Sequence, residues 1–119
     1  MTASNEAADQ RFPKSDRILK RAMFRRVYDS GKKIHARFFT AFTLPNSQEQ
    51  SRIGITATRR IGNSVERNRL RRRVRELYRR NKWRVPPGID IVINVKDGLA
   101  LAKYDEIEKD FAQLLERSR

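Results

Sequence analysis

The chain has 119 residues, a length that suits one domain with a single hydrophobic core. Its 28 lysines and arginines outnumber 14 acids, for a formal net charge of +14, and there is no cysteine. This composition excludes a disulfide framework and a cysteine zinc site and favours a polyanionic partner. Because no apolar run approaches the length of a membrane span and no apolar signal core lies near the N-terminus, we expect a cytoplasmic protein.

The N-terminal residues 1–11 are small and polar without hydrophobic periodicity, so we expect a disordered lead-in before one domain over residues 12–119. The residues that follow, including Phe12 and Ile18, are expected to be extended and to lay apolar side chains onto that domain. No composition shift or linker divides the rest of the chain.

A short helix is predicted over residues 20–30, where Phe24, Val27 and Tyr28 share one face and Gly31 ends the pattern. The two aromatic residues have two interpretations. Packing into the core is the ordinary one, whereas aromatic rings among cations are what base stacking on a single strand requires. The surrounding cations are Lys20, Arg21, Arg25, Arg26, Lys32 and Lys33. From the residues alone, both interpretations stay open.

Two strands are predicted next, over residues 34–44 and 52–58, because both segments are rich in β-branched or aromatic residues. The polar turn between them favours pairing as an antiparallel hairpin. Both faces of the first strand are largely apolar, with Phe38, Thr40, Phe42 and Leu44 on one side and Phe39, Ala41 and Thr43 on the other. Gly54 inside the second strand indicates a bulge or the close approach of another group.

The most basic part of the chain is residues 59–84, which hold 12 of the 28 lysines and arginines. A helix is predicted over residues 65–81, because its apolar residues form the single stripe Leu70, Val74, Leu77 and Tyr78.

The start of this helix is predicted to be capped by Asn63 or Ser64. Its free amides and the positive end of its dipole, with Arg59, Arg60 and Arg67 nearby, indicate an anion site.

Arginines and one asparagine cover the rest of the helix circumference: Arg67, Asn68, Arg69, Arg71, Arg72, Arg73, Arg75, Arg79 and Arg80. A merely solvated face usually mixes charges of both signs, and this one does not. The guanidinium group binds phosphate bidentately and stacks on bases, which an ammonium group cannot do. We therefore interpret the helix as a nucleic-acid-binding element.

The continuous β-branched run over residues 89–95 predicts a strand buried on both faces and parallel to a neighbour, which together with the preceding strand and helix suggests a βαβ unit. A final amphipathic helix is predicted over residues 104–117, with its acids in the first half, where they suit the helix dipole. Its apolar side is Ile107, Phe111, Leu114 and Leu115.

The sequence offers little catalytic chemistry. His35 is the only histidine, so a pair of histidines for acid–base cleavage and a multi-histidine metal site are excluded. The acids near the C-terminus are better explained as a solvated helix face than as a Mg²⁺ site, and no glycine-rich phosphate loop is present. These features indicate a binding protein rather than a catalyst.

The segment from Thr58 to Glu76 closely resembles the signature of the bacterial ribonuclease P protein subunit, whose motif corresponds here to Arg67-Asn68-Arg69. The likeness covers about residues 17–116. It extends in the expected order through Phe24 and Tyr28, the strand with Phe39, Arg52-Ile53-Gly54 and Asp90-Ile91-Val92.

The resemblance implies a small α/β (α+β) sandwich with element order αβββαβα, similar to the second domain of ribosomal protein S5. This order includes one short strand that the residues alone do not reveal. The family fold also has a left-handed βαβ crossover, although such connections are almost always right-handed.

The resemblance also implies the function: a non-catalytic subunit of an endoribonuclease that removes the 5′ leader of precursor tRNA. In this family the catalyst is the RNA subunit with its Mg²⁺ ions, and the protein binds no cofactor or metal by itself. The implied partners are ribonuclease P RNA and precursor tRNA, with one protein per holoenzyme core and no membrane.

The implied sites have no catalytic residue in this chain. Leader binding is expected at Phe24, Tyr28, Phe42, Arg60, Arg67 and Arg71. Binding of the catalytic RNA is expected at Arg59, Arg67, Asn68, Arg69, Arg72 and Arg75.

Other functions remain as alternatives. A ribosomal-protein-like module or RNA chaperone would bind structured RNA by shape. A DNA-binding regulator would place the basic helix in a major groove and usually needs a dimer seam, for which the apolar stripe is too short. A stand-alone nuclease lacks acid–base groups.

Overall fold

The computed structural model describes residues 17–18 and 20–119. The expectations for residues 1–11 and for Phe12 lie outside the described residues and stay predictions. The division into a lead-in and one domain is likewise untested. Within the described part of the chain, no helix combines the length and apolar character needed to cross a bilayer.

The described elements follow the order αβββαβα that the family resemblance implies. They are α1 (Arg21–Ser30), β1 (Lys32–His35), β2 (Phe39–Pro45), β3 (Arg52–Thr56), α2 (Ser64–Arg80), β4 (Ile89–Val95) and α3 (Tyr104–Arg117). Short 3-10 turns follow β3, α2 and β4, at Arg59–Ile61, Lys82–Arg84 and Leu99–Leu101. The predicted helices and the strand over residues 89–95 are confirmed to within one residue at each end.

The predicted strand over residues 34–44 is in fact two strands. The chain reverses between β1 and β2, where Ala36 N donates to Phe39 O at 2.8 Å. The turn is held by the Asp110 carboxylate of α3, which accepts a hydrogen bond from Phe38 N at 2.9 Å. The contact that stabilises this turn comes from a helix distant in sequence. The residues of the turn itself therefore did not predict it.

The predicted hairpin between the strands over residues 34–44 and 52–58 is wrong. The sheet order is β1-β2-β4-β3, so β4 lies between β2 and β3, antiparallel to β2 and parallel to β3. The parallel partner predicted for β4 is therefore confirmed, as is the βαβ unit of β3, α2 and β4. The handedness of that crossover stays a prediction.

An ion pair stabilises the β3–β4 register. The Arg52 guanidinium donates to both carboxylate oxygens of Asp90, at 2.9 Å from Nε and 2.8 Å from Nη2. The two residues are register partners, and Asn46 Nδ2 adds a hydrogen bond to Asp90 at 3.0 Å. Removing either partner would leave a largely buried charge unpaired, so this pair favours parallel pairing at one register only.

The sheet separates two layers of apolar packing. On one face, α2 and α3 cover the larger core, with their predicted apolar stripes fully buried against Phe39, Ile91 and Ile93. On the other face, α1 packs through Val27 onto Val92. The alternation predicted for β2 is confirmed from Phe39 onward, since Phe39 and Phe42 face opposite layers. The side predicted for Phe38 is wrong, because this residue precedes β2, in the turn, and packs in the same core as Phe39. Strand β4 is buried on both sides as expected.

Candidate nucleic-acid interface

Strand register forms a shallow floor beneath α1. Pairing aligns Phe42, Val92 and Gly54 in one row across β2, β4 and β3, and Asn94 with Thr56 in the next row. Because side chains alternate along a strand, these two rows face the same side of the sheet. The floor is therefore apolar in one row and polar in the next.

Between this floor and α1 lies an open cleft of about 510 Å³. Its lining residues are Arg21, Phe24, Arg25, Tyr28, Asp29 and Thr56. Helical spacing accounts for the wall, because residues three and four apart on α1 project from one side of the helix.

Phe24 packs against the backbone of the floor at Gly54. A Cβ added to Gly54 would lie 2.5 Å from Phe24 Cε1, so the predicted close approach at Gly54 is confirmed, and the approaching group is this ring. The ring is only half-buried and also lines the cleft. Phe24 thus combines the two sequence interpretations, since one side packs and the other is available to a ligand.

Tyr28 is fixed in the cleft wall by a polar network. Its hydroxyl donates to Asn94 Oδ1 at 2.8 Å, and Thr56 Oγ1 donates to the same oxygen. Its ring meets Phe42 edge-on with centroids 4.9 Å apart. The phenol is therefore held in one orientation by contacts to two strands, which leaves little conformational entropy to lose on binding.

Cations surround these rings. Arg21 and Arg25 are exposed on the cleft wall, and Lys33 Nζ lies 5.6 Å from the centroid of Phe42. Aromatic stacking surfaces next to backbone-tracking cations are the usual means of holding a single strand without reading its sequence.

The opposite face of the sheet carries α2, and three of its eight arginines are used within the fold. Arg73 donates to the carbonyls of Leu99 and Ala102 at 3.4 and 3.2 Å. Arg79 and Arg80 pair with Glu76, whose pKa is lowered chiefly by the hydrogen bond from Arg79. Arg73, Arg79 and Arg80 therefore stabilise the fold, although α2 looks uniformly basic in sequence.

The other five arginines of α2 make no ion pair with an acid in the described part of the chain: Arg67, Arg69, Arg71, Arg72 and Arg75. Burial, followed by the charges of Arg17, Arg71 and Arg72, lowers the pKa of Arg75. Arg67 Nε is buried and has no hydrogen-bond partner among the described residues. Leaving such a group unsatisfied costs about 1–3 kcal/mol.

Asn68 lies among these arginines and accepts a hydrogen bond from Arg71 Nη1 at 2.6 Å, which orients that guanidinium. Arg59 and Arg60 are exposed in the 3-10 turn before α2. Arg60 lines a separate depression of about 390 Å³ together with Thr58 and Lys96.

The structure thus brings together the predicted site residues in two groups. Phe24 and Tyr28 line the cleft, and Phe42 packs edge-on against Tyr28, whereas α2, which carries the predicted RNA-binding residues, packs on the other face of the sheet. Arg60, Arg67 and Arg71 are not among the described residues that line the cleft. Their assignment to the leader stays a prediction.

The N-terminus of α2 differs from the open anion site that the sequence suggests. Asn63 caps the helix, since its side chain accepts from Glu66 N at 2.9 Å, and Glu66 Oε1 accepts from Asn63 N at 3.3 Å. Gly62 has φ +154°, and a Cβ there would lie 2.9 Å from the Glu66 carboxylate. The carboxylate of Glu66 therefore occupies the position where an external anion would approach.

Thr56 and Asn94 are the cleft residues that the sequence did not reveal. Each strand holds one other polar residue, Arg52 in β3 and Asp90 in β4, and only the register of β3 with β4 places Thr56 and Asn94 side by side. A polar residue on the side of the sheet that α1 covers could have indicated a cleft residue. Recognising that side from sequence requires the correct strand order.

Among the described residues, no group of three or more histidines and acids is arranged to hold a metal ion. The single histidine, His35, lies exposed on β1, where its register partner is Thr40 of β2.

Comparison with known proteins gives one consistent family. The sequence matches the family model described as Ribonuclease P over residues 12–119. It is 38% identical over 102 residues to the ribonuclease P protein component of Syntrophus aciditrophicus, covering 86% of each chain. It is 34% identical to that of Citrifermentans bemidjiense, covering all of this chain and 97% of the relative.

Solved structures agree with the sequence comparison. The ribonuclease P protein of Thermotoga maritima superposes with a TM-score of 0.79 at 31% identity, covering 85% of this chain and 96% of that one. The Staphylococcus aureus protein gives the same TM-score at 27% identity, over 89% of this chain and 97% of that one. The fold implied by the resemblance is confirmed.

Proposed function

The chain belongs to the ribonuclease P protein family, whose role is tRNA 5′ processing together with an RNA subunit, and we propose how its two surfaces divide that work. The arginine face of α2 binds the catalytic RNA. The cleft beneath α1 binds the single-stranded 5′ leader of precursor tRNA. The observation that carries this division is the position of α1 and α2 on opposite faces of one sheet.

The RNA-subunit surface consists of the exposed 3-10 turn and the arginines of α2 that the fold does not use. Its residues are Arg59, Arg67, Asn68, Arg69, Arg72 and Arg75. Support comes from the absence of ion pairs to acids at these arginines within the described part of the chain, and from the pKa of Arg75, which burial and then the charges of neighbouring arginines lower. Phosphates of a folded RNA would supply the missing negative charge.

The leader surface consists of Phe24, Tyr28 and Phe42, with Arg21 and Arg25 beside them. Leader sequences must vary between tRNAs, so a stacking surface with phosphate-binding cations suits them better than base-reading hydrogen bonds. The predicted leader contacts Arg60, Arg67 and Arg71 would act where the strand leaves the cleft.

The chemistry of cleavage resides in the RNA subunit with its Mg²⁺ ions, in our proposal, while the protein supplies binding and positioning. Support comes from the single exposed histidine and from the engagement of Glu66, Asp90 and Asp110 in a helix cap, an ion pair and a turn. We further propose one protein per holoenzyme core and a cytoplasmic location.

Reconstitution tests the proposal. Purified protein is combined with its cognate ribonuclease P RNA at low Mg²⁺ and with precursor tRNA that carries a long or a very short 5′ leader. We expect cleavage that depends on the protein and favours the long leader, with no cleavage by the protein alone.

Two results would overturn parts of this proposal. Protein-dependent cleavage that ignores leader length would remove the leader from the cleft but keep the RNA subunit as partner. Cleavage by the protein alone would place the chemistry in this chain.

A further inference from the structure

One aromatic side chain is left in solvent far from the cleft. Trp83, in the 3-10 turn Lys82–Arg84 at the end of α2, is 73% exposed and is the only tryptophan of the chain. Indole side chains bury about 150–250 Å² when they pack, so leaving one in water forgoes a large stabilisation.

The turn itself holds Trp83 outward. Asn81 is buried, and its side chain donates to Leu77 O at 2.8 Å. Asn81 O then accepts from Arg84 N at 2.9 Å, which closes the turn around Trp83. The exposed position of Trp83 is therefore fixed by the hydrogen bonds at the end of α2.

Arg84 covers one side of the indole. Its guanidinium carbon lies 4.1 Å from the ring centroid, in a cation–π stack, and its buried Nε has no hydrogen-bond partner among the described residues. With most of Trp83 exposed, the other face of the indole is open. A guanidinium stacked behind a ring pre-orders that ring and supplies positive charge beside it.

The charge around Trp83 selects the kind of partner. Lys82 and Arg84 flank it in sequence, α2 ends in Arg79 and Arg80, and Arg119 Nη2 donates to Arg84 O at 3.4 Å. An exposed ring within such a basic surface suits a polyanion that also has exposed π-faces, and an unpaired RNA base has both properties.

We propose that Trp83 is a second stacking site, which takes an unpaired base of the RNA subunit at the far end of α2. This proposal rests on the proposed function of α2. Trp83 lies roughly 25 Å along the helix from its first turn, at a rise of about 1.5 Å per residue. It follows directly after α2, which packs on the face of the sheet opposite α1 and the cleft, so we assign the RNA subunit, not the leader, as the partner.

The single tryptophan permits a direct test on the unmodified protein. Fluorescence of Trp83 and its quenching by acrylamide are measured with and without ribonuclease P RNA, and in parallel with precursor tRNA that carries a long leader. We expect the RNA subunit to quench the emission and to shield the indole from acrylamide, and precursor tRNA alone to leave the indole accessible.

Affinity of variants for the RNA subunit provides the second measurement. Trp83→Ala should weaken binding about 5- to 150-fold, the value of one base stack, while Trp83→Phe retains most of the affinity. The dependence of affinity on salt should keep its slope, because no phosphate contact is lost. Leu101→Ala, a truncation of another fully exposed apolar side chain, should bind as the parent does.

The outcomes separate this proposal from the proposed function. An accessible indole and unchanged affinity of Trp83→Ala, with the parent protein still binding the RNA subunit, would overturn the stacking site alone. Shielding by precursor tRNA instead would overturn the assigned partner. Failure of the parent protein to bind the RNA subunit would overturn the proposed function and this site with it.

Discussion

The ring of Phe24 lies so close to Gly54 that a Cβ at that glycine would come within 2.5 Å of ring atom Cε1. One half-buried aromatic residue on α1 is thereby seated on the backbone of β3, and its outer side lines the cleft. Two substitutions separate these two roles.

Gly54→Ala should force the Phe24 ring outward and destabilise the protein by about 1–3 kcal/mol, as overpacking usually does. Urea unfolding measures this change. In a Phe24→Ala background the added methyl group has room, so the cost of Gly54→Ala should shrink. Additive costs of the two substitutions would contradict the contact.

Phe24→Ala should lower the affinity for precursor tRNA with a long leader by roughly 1–3 kcal/mol, because a base-stacking surface is lost. Equilibrium binding to the reconstituted holoenzyme measures it. Precursor with a very short leader serves as the control and should bind nearly as before. If thermal stability falls sharply and both precursors lose affinity alike, the ring acts as core.

Tyr28→Phe should cost about 0.5–1.5 kcal/mol of stability, because the hydrogen bond to Asn94 is lost while Thr56 still satisfies that oxygen. The ring and its contact with Phe42 remain, so leader affinity should change little. Tyr28→Ala, which removes both, should lose leader affinity as well. Loss of affinity in Tyr28→Phe at unchanged stability would assign the hydroxyl to the leader.

Arg67→Ala and Arg73→Ala should differ, although both remove an arginine from α2. Arg67→Ala should reduce the slope of log affinity against log salt by about 0.7–0.9, the value of one phosphate contact, and impair cleavage mostly at low Mg²⁺. Arg73→Ala should instead lower thermal stability, because its guanidinium binds the carbonyls of Leu99 and Ala102. An Arg67→Ala defect that is equal at every Mg²⁺ concentration would argue against its phosphate contact.

Arg75→Gln should stabilise the free protein while weakening RNA binding. The pKa of Arg75 is lowered in the folded state by burial and by neighbouring arginines, so its charged form opposes folding at neutral pH. Inorganic phosphate should raise the melting temperature of the parent more than that of the variant. Arg80→Gln, which removes an ion pair with Glu76, is the control and should not stabilise. Lower stability of Arg75→Gln without anions would refute the repulsion.

Local patterns predicted the helices well, because each has an apolar stripe at helical spacing that the core then buries, as Leu70 and Val74 show. The strand partners were less accessible. A short polar turn favours a hairpin between β2 and β3, but the Arg52–Asp90 pair and the apolar run of β4 place that strand between them. Such pairing joins residues 38 positions apart, which periodicity does not report.

The residues of the candidate site likewise fall into those that the sequence indicated and those that only the tertiary structure reveals. Phe24 and Tyr28 could be singled out from sequence because one helical turn among cations brings them together, whereas Phe42 as a site residue came only from the family resemblance. Thr56 and Asn94 meet only through strand order. Likewise, all eight arginines of α2 look alike in sequence, and only tertiary contacts separate Arg73 from Arg67.

The two helices on one face of the sheet carry opposite balances of charge. Helix α2 has eight arginines and two glutamates and contacts β3, whereas α3 has five acids and two cations and contacts β1. A nearby polyanion therefore attracts one flank of the molecule and repels the other, and the resulting torque turns the protein before contact. Most encounters with a polyanion should therefore bring α2 into contact first. A fluorescent label should disturb association least when it is attached to α3.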